Sequence, residues 1–554
     1  MGHHAATNWG TLSKTPLLIL ALGAMACGDG DGDCTNTASC GRAGPSSSGS
    51  GAPRDVPSAN GGVTDAETPE EPGVKVVFGA DPVVVTQGKS AAVPVTIERL
   101  GGFTGSVVLQ PFAANPKVHV PTITIPADQT AGAFTAEVAV DLPQGPLPPI
   151  AVTALTSGAA LGEGSIRLFV RGPAGSLDTS FGGGVVVGTL PNTPFTHAVA
   201  QRDGKVIALA VTGTNAVRAV RFNTDGTVDA TYGGGTGAVA TFTDKADETR
   251  AALDGAGRLY VTGGGVARFT TEGALDPTWG NGGIAEAAIK RKSKTSFVDV
   301  AVESNGSVFV TERCGVECDT TSSLRLTHLT PSGAIDTTFF RDRTTPGTHV
   351  VREGSGSPSY SFGGAITLES GSVLVSYTVV DAAAPLTFSP LVTVVKWDGT
   401  TTSAHGRVLD PNEGRPATAV SAARSAFVAA EDMNVGLTRI RRYDPSTLAT
   451  LPLSIGTAKP LGGIRPSLVL VSEKTLRVTT IHAPAYVRIH QMSDEGVDDT
   501  SFAPDGVVTH SLQTGADGAV IYGAFVQPDG SVIAVGGGRA SGTDKRSRIA
   551  RVWQ

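Results

Sequence analysis

The sequence predicts an all-β protein, and three observations carry that expectation. Glycine, at 71 of 554 residues, stands at nearly twice its average share of about 7%. Short β-branched runs alternate with turn clusters through residues 74–554, with no long helical period between them. After residue 172 one short pattern keeps returning at similar spacing. Charged residues are 17% and apolar residues 40%, enough to build cores and unlike a coiled coil, a collagen or a wholly disordered chain. The length suits two or three folded units.

The first region reads as an address. Residues 1–14 are polar, and residues 15–26 (TPLLILALGAMA) form an apolar run too short to span a bilayer but suited to a signal-peptide core. It runs into Ala24-Met25-Ala26-Cys27-Gly28. This segment resembles the lipobox of bacterial lipoproteins, with Ala24 where leucine is usual. The resemblance implies cleavage after residue 26, acylation of Cys27 and anchoring in a membrane. Gly28 in second place implies passage to the outer membrane, on its periplasmic face or at the cell surface.

Residues 27–73 hold almost no large apolar side chain, so they cannot offset the entropy of ordering and are expected to form a tether. They carry eight acidic side chains and two arginines, so most of the net charge of −7 sits there. The remainder is close to neutral, which argues against nucleic acid as a partner. With Cys27 acylated, four cysteines remain in two close pairs, Cys34/Cys40 and Cys314/Cys318. In an exported chain such pairs read as small disulfide loops, and their spacings do not suit a zinc site.

Residues 74–171 contain seven apolar β runs, at 83–86, 92–97, 107–109, 122–125, 134–140, 150–155 and 166–170. Their turn spacing predicts a β-sandwich. The pattern resembles the immunoglobulin-like modules of bacterial surface proteins; the region has neither cysteine nor tryptophan, so the hallmarks of antibody domains are absent.

Residues 172–554 carry the repeat. It reads GSLDTSFGGG from 175, GTVDATYGGG from 226, GALDPTWGNGG from 273, GAIDTTFF from 333 and GVDDTSFAPDG from 496. The aligned aspartates are Asp178, Asp229, Asp276, Asp336 and Asp499, spaced 51, 47, 60 and 163 apart. The last interval leaves room for two degenerate units, seen at VVKWDGT (394–400) and IRRYDPS (440–446). A second marker, a turn entering an apolar strand, recurs in step from RDGKVIALA (202–210) to PDGSVIAVG (528–536). Each unit has room for about four strands and cannot bury its faces alone. Seven such units predict a seven-bladed β-propeller, with an open β-repeat array as the alternative. The final strand, within 548–553, is expected to pair with residues 185–187 if the ring closes.

These motifs resemble the delta-60 repeat family of bacterial surface proteins. The resemblance spans residues 172–554 and implies repeated β units in exported proteins, with no agreed activity and no catalytic residues. Within each copy, the aspartate is suited to accept backbone hydrogen bonds in its turn. The aromatic three residues on (Phe181, Tyr232, Trp279, Phe339 and Phe502) is suited to wedge between units.

No nucleophile elbow, zinc-protease helix or phosphate loop occurs. His482 and His490 are the closest histidine pair of the folded regions, with no carboxylate at a telling distance. The expectation is therefore a non-catalytic, monomeric, lipid-anchored envelope or surface protein. It would need no cofactor or metal and would bind an extracellular glycan or protein. A propeller hydrolase or lyase acting on extracellular polymer is the alternative, with an envelope-assembly component behind it.

Overall fold

The computed structural model describes residues 71–554 apart from short stretches between strands, the longest being 286–294 and 315–322. These residues lie in Thr68–Gln554, one of two compact units. The signal segment and the tether up to residue 70 fall outside the described residues, as do Cys27, Cys34, Cys40 and Cys318. Among the described residues there is no α-helix, and no helix is long and apolar enough to cross a membrane.

The first folded region holds eleven strands where seven were expected. Gly73–Phe78, Ser90–Leu100, Ala131–Val138 and Val118–His119 form one sheet. Ala159–Ile166, Ile150–Thr156, Val107–Phe112 and Ile123–Ile125 form the second. Alternation fills the space between them: Val93, Val95 and Ile97 on one strand of the first sheet and Phe134, Ala136 and Val138 on its neighbour are all buried in this core. A third sheet pairs Leu168–Arg171 in parallel with Val83–Thr86 and antiparallel with Gly145–Pro146. The run at 166–170 is thus two elements, since Ile166 ends the strand Ala159–Ile166. That strand has little apolar patterning, and its glycines are needed where the two sheets meet. A Cβ on Gly162 would lie 1.9 Å from the Val74 carbonyl oxygen.

Seven further sheets form the blades of a closed propeller. Blade one consists of His197–Ala200, Val206–Thr212, Ala216–Phe222 and Ala238–Thr241, antiparallel in chain order. Blade two has three strands, Ala251–Leu253, Leu259–Thr262 and Val266–Phe269. Blades three, four, five and six begin with Thr295–Val302, Tyr360–Glu369, Glu413–Val420 and Ile464–Ser472. Blade seven takes Gly518–Val526, Val532–Arg539 and Ser547–Val552 from the C-terminus and its outer strand, Val185–Val187, from 360 residues earlier. The first strand of every blade lies against the first strand of the next, and that of blade seven against that of blade one. These first strands surround the central channel. Second strands are covered on both faces, which explains continuous apolar runs such as Val206–Ala210.

Register closes the ring. Val185, Val186 and Val187 oppose Ala550, Ile549 and Arg548. The Asp178 amide donates to the Arg551 carbonyl at 2.9 Å, and the Gly188 amide to that of Ser547 at 2.8 Å. Closure leaves no exposed edge at either end of the repeat, so the open array is excluded. The apolar clusters bridge adjacent blades: Tyr232 joins Leu209 to Val261 and Phe269, while Phe181 and Phe222 join Val206 to Ile533 and Ile549.

Candidate functional site

The repeated motif occupies the turn between the third and fourth strands of its blade, at one rim of the ring. Each aspartate caps its own turn. One carboxylate oxygen accepts the backbone N–H and the hydroxyl two residues on, at 2.9 and 2.6 Å for Asp229 and Thr231. Asp178 with Ser180, Asp276 with Thr278, Asp336 with Thr338 and Asp499 with Ser501 repeat this geometry.

The second oxygen takes a partner from the third strand, eight positions before the aspartate. Arg221 Nε donates to Asp229 at 2.8 Å, and Arg268 Nη2 lies 2.8 Å from Asp276. His328 Nδ1 is 2.9 Å from Asp336, and Gln491 Nε2 donates to Asp499 at 2.8 Å. Across the closing seam Arg551 Nε donates to Asp178 at 2.6 Å.

The same cations lie over the motif aromatics. Arg221 sits 4.4 Å from the Tyr232 ring centre, Arg551 4.9 Å from Phe181, and Arg268 5.7 Å from Trp279. In blade six Arg477, held by Gln491, lies 5.0 Å from Phe502. Their remaining N–H groups reach the next blade: Arg221 to the Thr271 carbonyl, Arg268 to that of Pro331, Arg477 to that of Gly530, and Arg551 to those of Gly204 and Thr224. The leading glycine of the next motif then packs on the aromatic. A Cβ on Gly273 would fall 2.8 Å from the Gly233 nitrogen and 2.9 Å from the Tyr232 ring. The motif therefore joins blades six, seven, one, two and three into one hydrogen-bonded arc.

Charge follows this packing. Burial pushes the Asp229 carboxyl up, but Lys205, Thr231 and Arg221 outweigh it and hold it well below the usual range. Asp276 and Asp336 are lowered in the same way, against burial, and Asp499 chiefly by Ser501 and Gln491. These four carboxylates are committed to the turn and its third-strand partner, and none is poised as a proton donor near neutral pH.

Blades four and five lack the motif, and other side chains join them. Trp397 places its ring 4.3 Å from His328 and 5.7 Å from Phe339 at the blade three–four junction. Lys459 Nζ donates to the Gly496 carbonyl at 2.9 Å and to Asp498 at 2.6 Å between blades five and six.

Of the expected disulfide residues, Cys314 ends the strand Val308–Cys314, and its pairing with Cys318 lies outside the described residues. The structure does not bring His482 and His490 together as a site: His482 is exposed, whereas His490 is buried opposite Val478. Burial lowers His490 to about 4, with Arg488 and Lys459 adding to this and Asp498 opposing. Burial also pushes His197 well down, helped by Arg250 and opposed by the Ala251 backbone.

Between the ordinary value near 6.5 and about 4, an unfolded His490 binds a proton that the folded protein does not. Stability is therefore expected to fall as pH drops from 7 to 4, with His490 contributing about 3 kcal/mol of that loss. Urea unfolding midpoints across this range should show a shallower fall in His490→Gln; an unchanged slope would contradict the assignment.

A second feature lies along the channel, away from the motif rim. Five of the seven innermost strands carry a bulge at one level, adding Val298, Gly364, Arg415 with Pro416, Arg465 with Pro466, and Tyr522. Opposite these bulges the second strands place Thr311, Ser376 and Thr479, all buried. Thr262 holds the same position in blade two, where its hydroxyl accepts the Arg250 amide at 2.9 Å.

Tyr522, the extra residue of its bulge, is 39% exposed, whereas Ile521 and Ala524 on the same strand are buried. Arg465 stands beside it at φ +51°, a left-handed conformation uncommon for a side chain of this size. Its amide donates to the buried Glu431 carboxylate at 3.3 Å, and Nη1 donates to the Tyr522 carbonyl at 3.3 Å. Sequence reasoning missed this collar because strand register creates it. Among the described residues no group of three or more histidines, cysteines or carboxylates could hold a metal ion.

A family model described as a domain of unknown function (DUF5122) beta-propeller matches residues 201–232. That stretch runs from the first turn of blade one into its motif. The matched family is a propeller family. No curated protein matches the chain by sequence. Similar solved structures include the Hadza microbial sialidase Hz136, at 12% identity and TM-score 0.35 over 78% of this chain and 79% of that one. A luciferin-regenerating enzyme is similar at 11% identity and TM-score 0.28, over 66% and 92%. A Synechocystis apocarotenoid oxygenase mutant is similar at 11% and 0.34, over 64% and 85%. These likenesses carry no reaction to this chain.

Proposed function

We propose that the chain is an exported, lipid-anchored surface protein of the delta-60 repeat type. Its propeller and immunoglobulin-like sandwich serve as a non-catalytic binding platform. The observation that carries this reading is the commitment of the repeated aspartates to turns and to third-strand partners within the ring. The strongest motif in the chain thereby has a structural task, and the rim and channel remain for a partner. The N-terminal apolar segment, Cys27 and the acidic tether support export and anchoring, with an extracellular glycan or protein as ligand.

Two measurements test it. Cys27→Ser is expected to abolish acyl labelling and release the protein from membranes; equal membrane fractionation of variant and wild type would contradict the anchor. Incubation with glycan and envelope-protein arrays is expected to give binding without turnover. New reducing or unsaturated ends in a bound polymer would instead favour the hydrolase or lyase reading.

A further inference from the structure

We propose that the sandwich is the clasp of the ring: it grips both strands of the closing seam, and the seam opens when that grip is lost. The seam departs from the repeat at the point where it meets the sandwich.

The position two residues after the third-strand partner carries Asn223, Thr270, Thr330 and Ser493 in four blades, but Trp553 in blade seven. Its backbone makes the same turn bond in all five. The amides of Asn223, Thr270, Thr330 and Ser493 each donate at 2.8 Å to the carbonyl of the residue after the leading glycine, and the Trp553 amide donates to that of Ser176 at 3.0 Å. A small polar residue thus suffices for the turn, and the indole has another task. It meets Phe169 of the sandwich edge to face, with ring centres 6.0 Å apart, and its Nε1 donates to Gln144 Oε1 at 2.9 Å.

The same Gln144 oxygen accepts the Thr179 amide at 2.9 Å, on the other side of the seam. The blade-two copy has Pro277 at that position, with no N–H to give, so the turn itself does not require this bond. One side-chain oxygen of the sandwich therefore joins the two ends of the ring. It is held from behind, since Gln144 Nε2 donates to Gln87 Oε1 at 3.4 Å and the Gln87 amide donates to the Arg171 carbonyl at 2.9 Å.

The joint has little play. Only Gly172, Pro173 and Ala174 separate the strand Leu168–Arg171 from Gly175, whose amide donates to the Trp553 carbonyl at 3.0 Å. Gly172 is buried, and a Cβ on it would overlap Gln144 Nε2 and Ser176 Oγ. The seam is also short without this support: Val185–Val187 makes three ladder pairs, against four for the outer strand of blade one and five for that of blade six.

Hydrogen exchange of the full chain, read at the Asp178 and Gly188 amides, tests the clasp. Trp553→Asn restores the residue that blade one carries and keeps the backbone turn bond, so a ring that closes by itself would tolerate it. Gln144→Leu touches the seam only from the sandwich and leaves Trp553 beside Arg551, which lies 5.4 Å from its ring centre. Both variants are expected to speed exchange at Asp178 and Gly188 at least tenfold, while Val206–Thr212 and Ala131–Val138 keep their protection. Wild-type rates at Asp178 and Gly188 in either variant would overturn the clasp and leave the sandwich as a module attached to a self-sufficient ring.

Discussion

Asp178→Ala is expected to lower folding stability by about 3–5 kcal/mol, the range for removing one partner from a buried ion pair. Asp178 is fully buried and Arg551 is 7% exposed. The two are 373 positions apart in the chain and meet only because the ring closes. The variant strands the Arg551 guanidinium between Phe181 and the Gly204 and Thr224 carbonyls, and it also releases Ser180. Asp336→Ala should cost less, because its partner His328 keeps a second carboxylate, Glu303, at 2.9 Å. Urea unfolding of both variants checks this ordering. A loss below about 1 kcal/mol in Asp178→Ala, the level of an exposed pair, would contradict the buried seam.

Deleting residues 549–554 is expected to destabilise blade one as severely as blade seven. The deletion removes Ile549 and Val552 from the core, worth about 1.5–3 kcal/mol each. It also leaves Asp178 buried without its cation. Trp553 goes too, and it bonds the sandwich: its Nε1 donates to Gln144 Oε1 at 2.9 Å, while that oxygen also accepts the Thr179 amide at 2.9 Å. Together these losses rival the whole stability of an ordinary domain, about 5–15 kcal/mol. Limited proteolysis should cut residues 175–241 as early as residues 518–548. Cleavage confined to the C-terminal strands would contradict the coupling.

The blades were legible because their signals are local. An aspartate, a hydroxyl two residues on and an aromatic three residues on make one turn, so the copies align without knowledge of the fold. The closing strand was legible for a related reason: residues 548–553 resemble a third strand that lacks its motif, and residues 175–187 supply a motif that lacks its third strand. The third-strand partners were harder. Arg221, Arg268, His328 and Gln491 share a position eight residues before the aspartate, but their chemistry differs, so only the contact reveals the common task. Ala159–Ile166 was missed because close sheet contact selects glycine there over β-branched residues. The collar was illegible altogether, since a bulge is a relation between two strands and Arg465 looks like any other arginine in the sequence.

The closed seven-bladed ring is tested most directly by hydrogen exchange in the intact chain, read at the amides of Asp178 and Gly188. Their acceptors are the carbonyls of Arg551 and Ser547 at the far end of the sequence. The ring predicts protection of these two amides comparable to that of the second strand of blade one, Val206–Thr212. Free-amide exchange at Asp178 and Gly188, with Val206–Thr212 still protected, would mean that the N-terminal strand has no partner and that the propeller is open.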